Sequence, residues 1–273
     1  MAGLVTQHCV SFGVPFQLAT DSDLLLATMQ KSVPLGTQFP VPPCGDARQF
    51  TLLQAKGVLV YRLLIGEEIV AQDAELEPVR EQLARDLMVY VANNSPDRVF
   101  LHAGVVGWQG RALVLPGTSF SGKTTLVAEL VRAGATYYSD EYAILDERGQ
   151  VHSYPRDLQM RQPGRPEQRA VAVEELKGAA GIVPLPVSHV VFAEYGESGE
   201  WNPKPVSAGM AVLEMLRHTI PVQRTPARVM ATLAKMMETA TALRSVRGEA
   251  SEVPSSLLAA MNLAAMNIEE RSA

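Results

Sequence analysis

Residues 117–125 read Gly117-Thr118-Ser119-Phe120-Ser121-Gly122-Lys123-Thr124-Thr125, two glycines five apart followed by Lys and a hydroxyl residue. A backbone of this composition can turn its N–H groups toward phosphate oxygens, because glycine adopts conformations closed to other residues. Lys123 adds a positive charge, and the Thr124 hydroxyl is of the type that holds Mg²⁺ beside a nucleotide. The chemistry expected of the segment is binding of ATP with Mg²⁺. Four further side chains have types suited to phosphate chemistry: His102, Asp140, Glu141 and Arg161.

The elements that must position these groups are legible around the loop. Val105–Trp108 and Arg111–Leu115 are β-rich runs separated by Gln109-Gly110, a hairpin signal. In that hairpin register His102 falls opposite Gly117, next to the loop. A helix over 123–133, with Leu126, Val127, Leu130 and Val131 as its apolar positions and Gly134 beyond its end, travels roughly 16 Å away from the loop. A strand over 135–140 returns roughly 17 Å and brings Asp140 level with the loop again. Glu141 follows on the opposite side of that strand. His102, Lys123, Thr124 and Asp140 are therefore expected to converge, and an Asp returning beside a phosphate loop suits Mg²⁺ binding or acceptance of a hydroxyl proton.

Leu101-His102-Ala103-Gly104-Val105-Val106, the loop 117–125 and Tyr138-Ser139-Asp140-Glu141 resemble, in order and spacing, the catalytic core of the HPr kinase/phosphorylase family, which is related in fold to phosphoenolpyruvate carboxykinases. The resemblance covers residues 98–162, with Pro155–Arg161 as a looser continuation. It implies an α/β fold with a mixed-sheet P-loop core, a small N-terminal α+β region and C-terminal helices. It also implies a bacterial serine kinase: Asp140 would receive the serine proton, Lys123 and the loop amides would stabilise phosphate charge, Thr124 and Asp140 would ligate Mg²⁺, and His102 would support the acidic group. Thr125 stands where the enzymes acting on HPr usually carry an acidic residue, and Glu141 where they carry a second aspartate. The acceptor implied is thus a serine of another protein or peptide rather than HPr. Two other classes stay open: a P-loop kinase or hydrolase of a small metabolite, and a nucleotide-sensing protein that transfers nothing. An antiparallel hairpin feeding the loop speaks against the first, and intact Lys123, Thr124 and Asp140 speak against the second.

The composition is that of a globular chain: 273 residues, 47% apolar, 19% charged, net charge −5. Lys and Arg are scattered, so no nucleic-acid footprint is expected. Cys9 and Cys44 have no metal-ligand or redox-motif spacing and read as free thiols. No signal peptide and no membrane span is expected, which suits a cytoplasmic enzyme. Subunit number is left open, a homo-oligomer among the options.

Two regions are expected, 1–95 and 96–273. Pro34, Pro40, Pro42 and Pro43 suggest that residues 1–45 are irregular or extended. Strands near 50–53, 58–64 and 69–70, with turns at Lys56-Gly57 and Gly66-Glu67, then precede a helix over 77–93 that packs as a layer. Beyond the acidic pair, a hairpin over 144–154 leads to Arg161 and a proline/glycine loop, 161–166, that reads either as a solvated loop or as one that closes over the nucleotide. Residues 187–193 read as a strand buried on both faces, with His189 as a core histidine. Helices follow from Ser207 to about 219, from Thr225-Pro226 to about 243, and from 254 to 267, with Met210, Met215, Met236 and Met237 in the core.

Overall fold

The computed structural model describes residues 3–55, 60–118, 121–161, 168–197 and 199–262. The Lys56-Gly57 turn, Ser119, Phe120, most of the proline/glycine loop (162–167) and the chain beyond 262 lie outside them. The chain divides into two compact units, Met1–Asp97 and Arg98–Ala273.

The first unit begins with a hairpin where irregular chain was expected. β1 (Val5–Ser11) and β2 (Val14–Thr20) turn through Phe12 and Gly13, both at positive φ, as a two-residue hairpin of matching twist requires. The prolines that suggested irregular structure are confined to the stretch after α1 (Asp23–Gln30), so their breaking effect never reaches β1 or β2. β3 (Arg48–Gln54), β4 (Tyr61–Ile65) and β5 (Glu68–Asp73) complete a sheet in the order β1-β2-β3-β4-β5, antiparallel except for the β2–β3 pair that flanks α1. α2 (Leu76–Asn94) buries Leu83, Leu87 and Val91, and Phe50 of β3 meets Phe16 and Tyr90 edge-on.

In the second unit, β6 (Val99–Trp108) and β7 (Arg111–Pro116) pair from Trp108–Arg111 to Ala103–Pro116, the register expected, with Gln109 and Gly110 both at positive φ. α3 (Lys123–Arg132) follows and stops at Gly134, whose φ of 101° other residues rarely adopt. Then come β8 (Thr136–Ser139), β9 (Tyr142–Leu145), β10 (Gln150–His152), the small β11–β12 hairpin (Leu158–Arg161, Gln168–Val171), β13 (Leu185–Tyr195), β14 (Lys204–Val206), α4 (Ala208–Leu216), α5 (Pro226–Met237) and β15 (Thr241–Arg247). Eight of these strands form one mixed sheet along β10-β9-β6-β7-β13-β15-β14, with β8 also on β6 and β10 returning to β13.

Two helix expectations are corrected. α4 ends at Leu216, and α5 ends at Met237, so 241–243 belong to β15. β15 pairs in parallel with His189–Tyr195 over seven residues, and that non-local ladder overrides any local helical tendency. Met210 is also corrected: it is exposed on α4, whereas Met215, Met236 and Met237 are buried. The strand alternation sorts the core into two layers. Val105, Ala112, Val114, Val190 and Phe192 face α4 and α5, while Val106, Leu113, Leu115 and Val191 face α3 and the helical segment 254–262. β13 is thus buried on both faces, and His189, 4% exposed, contacts Ser188 Oγ at 3.1 Å. No helix among the described residues is long and apolar enough to cross a membrane.

Candidate functional site

β7 and β8 both run antiparallel to β6, and β13 and β15 run parallel to β7. The carboxyl ends of β7, β8, β13 and β15 therefore open on one side of the sheet, where ligands of open α/β sheets bind. Gly117 follows β7, Asp140 follows β8, and Arg247 ends β15.

The turn from β7 into α3 is set by Gly122, at φ 83° as the residue before the helix. Lys123 opens α3 and is 9% exposed; its Nζ donates to the carbonyls of Gly117 (2.9 Å) and Thr118 (2.6 Å). Burial pulls this ammonium down to about 8, against the opposing pull of Asp140 and Glu141. One residue on, the Thr124 hydroxyl hydrogen-bonds the Asp140 carboxylate. Thr125 is exposed.

Asp140 is held from several sides. The Tyr137 hydroxyl lies 3.0 Å from its Oδ1 and 2.7 Å from the Arg156 carbonyl, and the Gln159 N–H of β11 also donates to the carboxylate. Burial nevertheless raises its carboxyl above the usual range. The turn into β9 is fixed by Ser139, whose buried Oγ accepts from the N–H groups of Glu141 (3.1 Å) and Tyr142 (3.0 Å). Glu141 points to Arg156, 3.3 Å away, and burial raises its carboxyl too.

The hairpin register brings His102 beside the loop, where its carbonyl accepts from the Gly117 N–H at 3.3 Å. Its imidazole is depressed to about 4 by burial, then by the charges of Lys123 and His218, so it is neutral near pH 7. Its ring sits 5.8 Å from that of Tyr142. His102, Lys123, Thr124, Asp140 and Glu141 thus come together. Arg161 closes β11, exposed, two residues beyond the Gln159 that reaches Asp140.

Sequence reasoning missed His218, Tyr137, Arg156 and Arg247. His218 follows α4; its carbonyl accepts from the His102 N–H at 2.8 Å, and the Lys123 charge helps to depress its imidazole. Arg247 donates from Nη2 to the Gly122 carbonyl at 3.0 Å across 125 residues of chain. No local pattern joins residues so far apart; Tyr137 and Arg156, by contrast, flank motifs already singled out.

The Thr124–Asp140 pair offers hard oxygen donors, which suit Mg²⁺, an ion that keeps several waters and shares phosphate oxygens rather than filling a protein cage. No group of three or more His, Cys, Asp or Glu side chains that could hold a metal ion occurs among the described residues. An anion suits the loop, since among the described residues Lys123 hydrogen-bonds only carbonyl oxygens and the buried Ser121 Oγ has no partner. No protein-family model and no curated protein matches this sequence.

Proposed function

We propose that the protein is an ATP-dependent phosphotransferase that moves a γ-phosphoryl group to a serine hydroxyl of a protein or peptide other than HPr. The observation that carries this reading is the convergence of Lys123, Thr124 and Asp140, with the Thr124 hydroxyl bonded to a carboxylate raised by burial. In this reading the segment 117–124 is a phosphate-binding P-loop at the head of α3, where backbone N–H groups and the helix dipole favour an anion. Lys123 leaves its loop carbonyls for the phosphates. Asp140 takes the proton of the serine Oγ as the Oγ–P bond forms and the bond from the γ-phosphorus to the β–γ bridging oxygen breaks, releasing ADP. Thr124 and Asp140 would hold Mg²⁺, which when bound supplies charge neutralisation at the phosphate oxygens. Neutral His102 lines the loop without adding a charge that would compete with Lys123. Serine as the acceptor group comes from the resemblance to the HPr kinase/phosphorylase core.

The test is incubation of the protein with Mg²⁺, γ-labelled ATP and pools of serine-containing peptides, followed by phosphoamino-acid analysis. Phosphoserine is expected. Bound ATP with no label transferred favours a nucleotide sensor, and release of free phosphate alone favours a hydrolase; either result overturns the proposal.

A further inference from the structure

Arg247 is 3% exposed, yet no carboxylate among the described residues lies within ion-pair distance of it. Among the described residues its donors meet only backbone carbonyls, Nη1 to Gly248 at 2.9 Å and Nη2 to Gly122 at 3.0 Å, and its buried Nε has no partner. The charge of Glu249, outside ion-pair distance, and the Tyr195 ring, 5.5 Å from the guanidinium, also act on it. Arginines of this kind are almost never buried without an anion. The carbonyl that it holds belongs to the residue that turns the chain into α3. A Cβ on Gly122 would stand 2.3 Å from Nη2, so glycine there serves the guanidinium as well as the positive φ.

We infer that Arg247 is a positioning residue for the phosphate site, clamping the Gly122 carbonyl at the head of α3, and lending its own charge to the triphosphate of the bound nucleotide. The inference rests on the proposed nucleotide site. It adds a cation from the far end of β15 to the one supplied by Lys123. It also gives a use to a buried cation that has the charge of Glu249 in its surroundings but no carboxylate at ion-pair distance. The nucleotide's phosphates would add the direct anionic contact that the ligand-free protein does not give it.

The experiment compares wild type, Arg247→Met and Arg247→Lys by calorimetric titration with ATP and ADP and by melting of the ligand-free protein. Methionine fills the same space without charge. It is expected to weaken ATP binding by about ten- to a hundredfold, the range of one lost charged hydrogen bond, to weaken ADP binding less, and to leave the ligand-free melting temperature equal or higher. Lysine, which keeps charge but not the planar fork, is expected to fall between the two. Wild-type ATP affinity in Arg247→Met overturns the inference alone. A melting temperature lowered by several degrees in both variants also overturns it, by making the arginine an ordinary structural group. If the wild type binds neither nucleotide, the proposed site fails and the inference falls with it.

Discussion

The two units bury their polar side chains differently. Among the described residues of Met1–Asp97 the buried polar residues all carry hydroxyls, Ser11, Thr20, Ser32, Thr51 and Ser95; Ser32 Oγ donates to the Thr28 carbonyl and Ser95 Oγ to that of Phe12, while Ser11 Oγ is buried without a partner among the described residues. In Arg98–Ala273 the buried set includes two cations, Lys123 and Arg247, both held by backbone carbonyls of the segment 117–122 or its neighbours. A buried hydroxyl bonded to a carbonyl costs little, whereas a buried charge costs several kcal/mol unless compensated. The first unit buries no cation among its described residues. The second buries two at one end of its sheet, a stability cost that the proposed anion site would account for.

Four substitutions sharpen or break that contrast. The largest effect is expected from Asp140→Asn, which should keep ATP bound but cut phosphoryl transfer by about 10³-fold, within the range of a lost general base; a normal transfer rate removes Asp140 from the mechanism. Next, Phe50→Ala in the first unit should lower stability by about 3–4 kcal/mol in denaturant unfolding, because it empties a fully buried site between Phe16 and Tyr90. A loss below 1 kcal/mol would show that this core is not the unit's main support.

The third concerns pH. Burial lowers Lys123 from 10.5 in the unfolded chain to about 8 in the folded one, so between these values the unfolded state binds more protons. Stability from this group therefore rises as pH climbs from about 8 to 10.5, by roughly 3 kcal/mol, as the cost of burying the cation is relieved. Lys123→Met should abolish the rise relative to wild type; parallel curves for the two proteins over this window would refute the assignment. The smallest effect is expected from Ser139→Ala. It strips the acceptor from the Glu141 and Tyr142 N–H groups and should cost about 1 kcal/mol, read as a fall of a few degrees in melting temperature.

Much of the candidate site was legible because its parts lie close along the chain. Gly117 to Thr124 form a contiguous motif, and the hairpin turn at Gln109-Gly110 fixes the register that sets His102 beside Gly117. The rise per residue of one helix and one strand then brings Asp140 back to Thr124. The N-terminal hairpin was missed because prolines clustered between 34 and 43 were read as marking the whole segment. The proline/glycine loop at 161–166, solvated or closing over nucleotide in the sequence reading, lies mostly outside the described residues.

By itself, then, the sequence determined the turn chemistry, the helix α3 with its apolar face, and the spacing that joins loop, histidine and acidic pair, because each depends on backbone geometry over a few dozen residues. Only the tertiary structure decided that Thr241–Arg247 is a strand rather than the end of a helix, since its partner β13 lies far away in the chain. It also decided which way that strand faces at its end: Val246 is 48% exposed while Arg247 is buried, the reverse of what polarity suggests. The physical reason is register. Pairing with Tyr195 turns Arg247 toward Gly122, and the seven-residue ladder with β13 fixes that register against the local preference of arginine for water.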